Sequence, residues 1–353
     1  MMIRRKICFV VSISAFFLLA APALFFMIIA LTAYRPESVT VLTSLPQAAP
    51  LKKDTIEILT WNIGYAGLDS EMDFFYDGGK KSRTNKAKTT ENLDSITHFL
   101  AAVSADFVFL QEVDKNSRRS YHIDQISAIS QNMPLYTSIY ATNYKSLFVP
   151  APPHSPTGSV ESGLTILCQH IPQQSLRYAY PSRQSGLKQM FMPNRCFILC
   201  RLALKNGKNL VLINTHNSAF DHNGEQRNVE MRFLKDFILN EYLSGNYVIV
   251  GGDWNQTPPL ENAVKYQNIN TEYFIPLAIS PNLMPREWKF VSDGNATNRF
   301  LDMPYIKGLT KETLIDFFLV SPNVEAIATQ RINLKYRHSD HNPVFARFVL
   351  KQP

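Results

Sequence analysis

The chain has 353 residues, 45% of them apolar and only 18% charged, with 36 Lys and Arg against 29 Asp and Glu for a net charge of +7. Disordered, collagen-like and coiled-coil chains are excluded, because each needs a charge-rich, glycine-periodic or heptad-biased composition. Four cysteines in this length also exclude a small disulfide scaffold.

Met1 to Lys6 carry the basic cluster Arg4, Arg5 and Lys6, and the 27 residues from Ile7 to Ala33 have no ionisable side chain except Cys8. About 20 apolar residues cross a bilayer as a helix, whereas the apolar core of a signal peptide usually spans about 7–15. Residues 1–34 are therefore expected to be a single membrane-spanning anchor with a cytoplasmic stub. The basic residues before the span set the rest of the chain on the non-cytoplasmic side of the cell membrane. A cleaved signal peptide and a buried core helix are the alternatives. Residues 35–54, with Pro36, Pro46 and Pro50 and no apolar period, read as a tether.

From residue 55 to the end the pattern is that of one domain. Apolar runs of strand length fall at 56–62, 107–113, 164–168, 196–204, 210–216, 247–253, 316–320 and 343–350. Leu93, Ile96, Leu100 and Val103 have helical spacing, as do Val229, Phe233 and Phe237 with Leu234 and Ile238, before a stop at Gly245. The proline-rich stretch 148–156 excludes regular structure in its interior and reads as a surface loop. Strands joined by hairpins and helices predict an α/β (α+β) sandwich.

The strand ends are unusually polar. Asn62, Glu112, Asn214 with His216, Asp253 with Asn255, Asp316, and Asp340 with His341 all stand where an apolar run begins or ends. One such residue caps a turn; six strands delivering them together is costly unless the groups are paired or metal-bound. Oxygen ligands with few cysteines favour a hard cation, Mg2+ or Mn2+, over Zn2+.

These segments resemble the endonuclease/exonuclease/phosphatase (DNase I-like) superfamily. The likeness is carried in order by Thr60-Trp-Asn-Ile63, Ala105-Asp-Phe-Val-Phe-Leu-Gln-Glu-Val-Asp114, Ser162-Gly-Leu-Thr-Ile-Leu167, Asn214-Thr-His216, Gly252-Asp-Trp-Asn255, Ile315-Asp-Phe-Phe-Leu-Val320 and Ser339-Asp-His341. It spans about residues 56–348 and implies a four-layer sandwich, two packed mixed sheets covered by helices, with the site where strand ends meet. It also implies a metal-dependent phosphoric ester hydrolase. Glu112, Asn62 and Asp340 are then the Mg2+ ligands, and His341 with Asp316 the His–Asp pair. His341 serves as general base or as cationic phosphate clamp. Asp253 would orient or deprotonate the attacking water, Asn255 would donate to the phosphoryl group, and His216, helped by Asn214, would stabilise its oxygens or the leaving group. Glu161 and Arg195 resemble positions near the substrate phosphate.

Cys196 and Cys200 lie too far apart along one strand to bridge each other; buried free thiols are expected, with a pairing to Cys168 as the alternative. The substrate is left open. Three of the seven net charges sit at Arg4, Arg5 and Lys6, leaving +4 for residues 35–353, mild for a DNA binder. The one dense basic cluster, Lys80, Lys81, Arg83, Lys86 and Lys88, fits nucleic-acid phosphates, anionic lipid or a solvated helix face. A monomeric, membrane-anchored enzyme acting on a small or lipid phosphoester is favoured. A nuclease and an inactive tethered binding module are the alternatives.

Overall fold

The computed structural model describes residue 18 and residues 20–181, 187–219, 221, 223–266 and 273–351. Two mixed sheets pack face to face. One has the order β1 (Val39–Ser44), β6 (Gln174–Ala179), β7 (Cys196–Ala203), β8 (Asn209–His216), β9 (Tyr247–Asp253), β13 (Asp316–Val320), β10 (Lys289–Val291). The other runs β14 (Val324–Arg331), β15 (Val344–Leu350), β2 (Thr55–Asn62), β3 (Phe107–Asp114), β5 (Gly158–Cys168), β4 (Thr137–Val149). A two-stranded ribbon, β11 (Asn298–Arg299) with β12 (Glu312–Thr313), stands apart.

Each sheet holds one parallel pair at its centre, β2 with β3 and β8 with β9, and a helix crosses over in each case. The helix α2 (Lys86–Val103) is capped by Asn85, whose side chain accepts from the Lys88 N–H, and it buries Leu93, Ile96 and Leu100. The helix α4 (Glu225–Leu243) buries Met231, Leu234 and Ile238. A third, α3 (Gln125–Asn132), begins at Asp124, which accepts from the Ser127 N–H. The apolar runs explain the rest: every residue of β9 is buried, as a strand covered on both faces requires. Ile58, Phe109, Ile166, Leu212, Ile249 and Phe318 interlock between the sheets, α4 covers a second core outside one sheet, and α2 and α3 a third outside the other.

Part of residues 35–54 is ordered against the domain. Val39 to Ser44 form the edge strand β1, antiparallel to β6. The buried Arg177 side chain holds its lead-in, donating to Glu37 O, Thr142 O and Asn194 O. Of the expected anchor, residues 1–17 and 19 lie outside the described residues, while 20–32 form a helix, α1. No helix among the described residues is long and apolar enough to cross a membrane. Ile29 of α1 is buried, and Phe25 meets Phe148 edge-on with ring centroids 6.1 Å apart. Cys168, Cys196 and Cys200 are buried free thiols, as expected; Cys8 lies outside the described residues.

Candidate active site

Cross-strand register assembles the site. In the parallel pair β8–β9, His216 stands opposite Asp253, and in the antiparallel pair β9–β13, Asp253 stands opposite Asp316. Three strand ends so place three functional groups side by side. The second sheet brings Asn62 from the end of β2 and Glu112 from a bulge in β3, where the register shifts between Leu110 and Val113. Glu112 has a left-handed backbone, φ 54°, that a carboxylate-bearing residue adopts only when its surroundings impose it.

His341 is anchored by Asp316, with Nδ1 to Oδ2 at 2.7 Å, and its backbone carbonyl accepts from Trp61 Nε1. The other ring nitrogen, Nε2, lies 3.0 Å from Asn298 Nδ2 and 3.8 Å from both Asp253 Oδ2 and Asp340 Oδ2. Burial by itself would lower the His341 pKa. The carboxylates of Asp316, Asp340 and Asp253 outweigh it and raise the group to about 10, so the imidazole is cationic at neutral pH. Asp253 is raised to about 7 by burial, against the pull of His341. Its Oδ1 accepts from the Asn255 N–H, and its Oδ2 from Asn62 Nδ2 at 3.0 Å. His216 Nε2 lies 3.4 Å from the same Oδ2. Burial, with the nearby charges of Arg195, His341 and Arg119, holds His216 well below its ordinary pKa, so this second imidazole is neutral.

Negative oxygens also repel one another at Glu112 and Asp340. Burial and Glu112 push Asp340 up to about 6, although His341 pulls it down. Burial, Asp340 and Glu112 push the nearby Asp77 up to about 7. Gly64, φ 49°, leaves the space that Asp340 uses: a Cβ there would stand 2.9 Å from Asp340 Oδ1. The donor set is all oxygen and fits a hard divalent cation. Asn62 Nδ2 donates to Glu112 Oε1 at 3.2 Å and to Asp253, while its Oδ1 accepts from the Gly64 N–H with one of its two lone pairs. A further acid–imidazole group of ligand type, Asp253, Asp316 and His341, has its donor atoms within 4.8 Å of one another. Within this group the 2.7 Å contact of His341 Nδ1 with Asp316 is a charge-assisted hydrogen bond.

Asn214 is not brought to the site. Both its amide hydrogens go to the carbonyls of Leu110 and Thr165, and its oxygen accepts from Gln111, so it ties the two sheets together behind His216. Arg195, Asn255, His216, Asp253, Glu112, Asp340 and His341 do line one cavity of about 540 Å³. Glu161 instead pairs with Lys145. The strand-end pattern missed Asn298, Arg119, Tyr65 and Asp77. Asn298 sits on the short ribbon. Arg119 stacks on the Tyr65 ring at 3.7 Å and forks onto Asp114. The sequence signal for it was Asp114-x4-Arg119, which no strand end marks.

A buried Asp–His pair, a second neutral imidazole and an acidic oxygen cluster at the floor of one cavity are the parts of a hydrolytic site for phosphoric esters. The chain belongs to the endonuclease/exonuclease/phosphatase family, whose model matches residues 59–341, and family members are hydrolases of phosphoester bonds. No curated protein matches it by sequence. Among solved structures it is similar to the endonuclease/exonuclease/phosphatase of Beutenbergia cavernae DSM 12333, with 15% identity, 85% of this chain and 72% of that one covered, and a TM-score of 0.59. It is also similar to ANGEL2, a 2',3'-cyclic phosphatase solved with adenosine-2',3'-vanadate (13% identity, 86% and 98% covered, TM-score 0.56). A third likeness is to truncated Caenorhabditis elegans TDP2 (17% identity, 84% and 98% covered, TM-score 0.52). At these identities the likenesses establish the fold.

Proposed function

We propose that the protein is a divalent-metal-dependent phosphoesterase acting on a small or lipid phosphoester. One observation carries this reading: Glu112, Asp340, Asp253, His216 and cationic His341 converge on a single cavity also lined by apolar side chains, including Leu68, Val149, Met192 and Phe300. Glu112 and Asp340 would hold Mg2+ or Mn2+, which would supply a Lewis acid for the phosphoryl oxygens. Asn62, as a hydrogen-bond donor, keeps the Glu112 and Asp253 carboxylates apart at fixed spacing. His341, charged through Asp316, clamps a phosphoryl oxygen and can return a proton from Nε2. Asp253, near pKa 7, orients the attacking water and takes its proton. Neutral His216 and the Asn255 amide donate to the remaining oxygens, and Asn214 acts as a positioning residue through the sheet junction.

The basic cluster gives little support to a nucleic-acid groove. Lys81 pairs with Asp73, Lys88 with Glu91, and Arg83 donates to Arg118 O while covering the Tyr121 ring. A nuclease remains the second reading, favoured by Tyr76, Tyr144 and Phe191 on the cavity wall, which could stack bases. The inactive-module reading is disfavoured by the complete Asp–His pair. Anchorage through the N-terminal segment, with the catalytic domain outside the cytoplasm, is supported by the outward apolar residues of α1: Leu24, Met27, Ile28 and Leu31 are 41–79% exposed.

The test is hydrolysis of bis(p-nitrophenyl) phosphate, plasmid DNA and a phospholipid panel by the full chain, with Mg2+, with Mn2+ and with EDTA. Metal-dependent cleavage of the small diester without plasmid nicking supports the proposal; nicking alone hands the site to the nuclease reading.

A further inference from the structure

We infer that the substrate is an amphiphile, a phosphoester carrying a long alkyl or acyl chain, and that this chain lies along the apolar wall of the catalytic cavity. The inference rests on the phosphoesterase reading and sharpens its substrate class.

Two apolar clusters flank the polar floor. Leu68, Leu301 and Phe74 gather on one, and Phe274, Phe300 and Ile315 on the other, with the Phe274 and Phe300 rings 5.9 Å apart. Facing them are Val149 and Pro150 from the end of β4 and Phe191 and Met192 from the segment before β7. An ordinary phosphomonoester of a sugar has no apolar group to set against these walls. Burying an alkyl chain there gains about fourfold in affinity per fully covered methylene.

Exposed apolar residues also stand close by in the chain. Leu147 and Phe148, next to Val149 in the chain, are 53% and 36% exposed, and Phe148 carries Phe25 of α1 on its edge. Tyr34, just past α1, donates to the Thr142 carbonyl and accepts from Asn194. Asn143 and Pro193, the neighbours of those two residues, line the cavity. The segments that hold Tyr34 thus also supply lining of the cavity. A substrate whose tail lies against Leu68, Val149, Met192 and Phe300 while its phosphate reaches His341 fits that lining; a fully water-soluble one does not use it.

The probes are n-alkyl phosphates of two, four and eight carbons, used as monomers to inhibit bis(p-nitrophenyl) phosphate hydrolysis by the full chain. Half-covering the six methylenes that separate octyl from ethyl phosphate predicts an inhibition constant about fiftyfold lower, and a gain of tenfold or more supports the inference. In the Phe191→Ser and Phe74→Ser variants the octyl-to-ethyl ratio should collapse toward one. The ratio is read within each variant, so a partly folded preparation does not distort it. Equal inhibition by all three phosphates overturns the amphiphile while leaving the phosphoesterase site standing. A gain that survives in both variants also overturns it, since the alkyl chain then binds elsewhere. A chain that cleaves no bis(p-nitrophenyl) phosphate with either metal removes the reading beneath it, and this inference with it.

Discussion

Asp316→Asn is the most informative single change. Asp316 is fully buried at the start of β13, and its Oδ2 lies 2.7 Å from His341 Nδ1. The asparagine keeps the shape and removes the charge that contributes most to raising His341. Burial then acts against the remaining carboxylates, and the imidazole pKa falls from about 10 toward its ordinary 6.5 or lower. His341 gains its proton more readily folded than unfolded, so its contribution to stability is complete below about pH 6.5 and is lost as pH rises through about 10. Disrupting a buried, charged pair of this kind costs on the order of 3–5 kcal/mol, lessened here because the asparagine can still hydrogen-bond. The variant should be less stable than the parent at pH 6, with the difference shrinking toward pH 10, as read by urea denaturation. Turnover at pH 7.5 should fall by roughly 10³-fold or more, the order seen when the carboxylate of a hydrolytic His–Asp pair is made an amide. Wild-type-like turnover, or an imidazole NMR titration still centred near pH 10, would refute the role given to Asp316.

Glu112→Gln keeps the volume but halves the anionic donors at the proposed cation site; Mg2+-dependent hydrolysis should fall at least a hundredfold, and EDTA should do the same to the parent. In Gly64→Val the new side chain meets Asp340 Oδ1 and must hold φ 49°, so both melting temperature and activity should drop, with activity affected more because the carboxylate is displaced. Arg119→Ala leaves the buried Asp114 carboxylate without its fork and Tyr65 without its cation; a loss of about 3–5 kcal/mol is expected by urea denaturation.

The central elements were legible because burial writes itself into composition. Tyr247–Asp253 and Asp316–Val320 coincide with their apolar runs, since a strand covered on both faces has no polar positions to blur its ends. β1, β4 and β14 were missed for the opposite reason. They lie at sheet edges where half the positions face water, as in Val324–Arg331 with one buried residue of eight. Residues 35–54 read as a tether because Val39 to Ser44 has little core to meet; backbone pairing with β6 and the Arg177 fork hold it.

The site divides along the same line. Sequence alone determined that polar groups end the apolar strands, and the family resemblance implied that His216, Asp253, Asp316 and His341 belong together. Local polarity at a strand end is a property of the chain. Which proton or lone pair of that residue reaches the cavity is a property of its neighbours, and only the tertiary structure decided it. Asn214 satisfies the sequence pattern as well as His216 does, yet Leu110, Thr165 and Gln111 consume its amide. Asn62 turns its nitrogen, not its oxygen, to Glu112. Asn298 and Arg119 reach the cavity from a ribbon and a single 3-10 turn that no period foretells. Hydrogen-bond valence is finite, and each donor is spent by whichever partner the packed sheets set nearest to it.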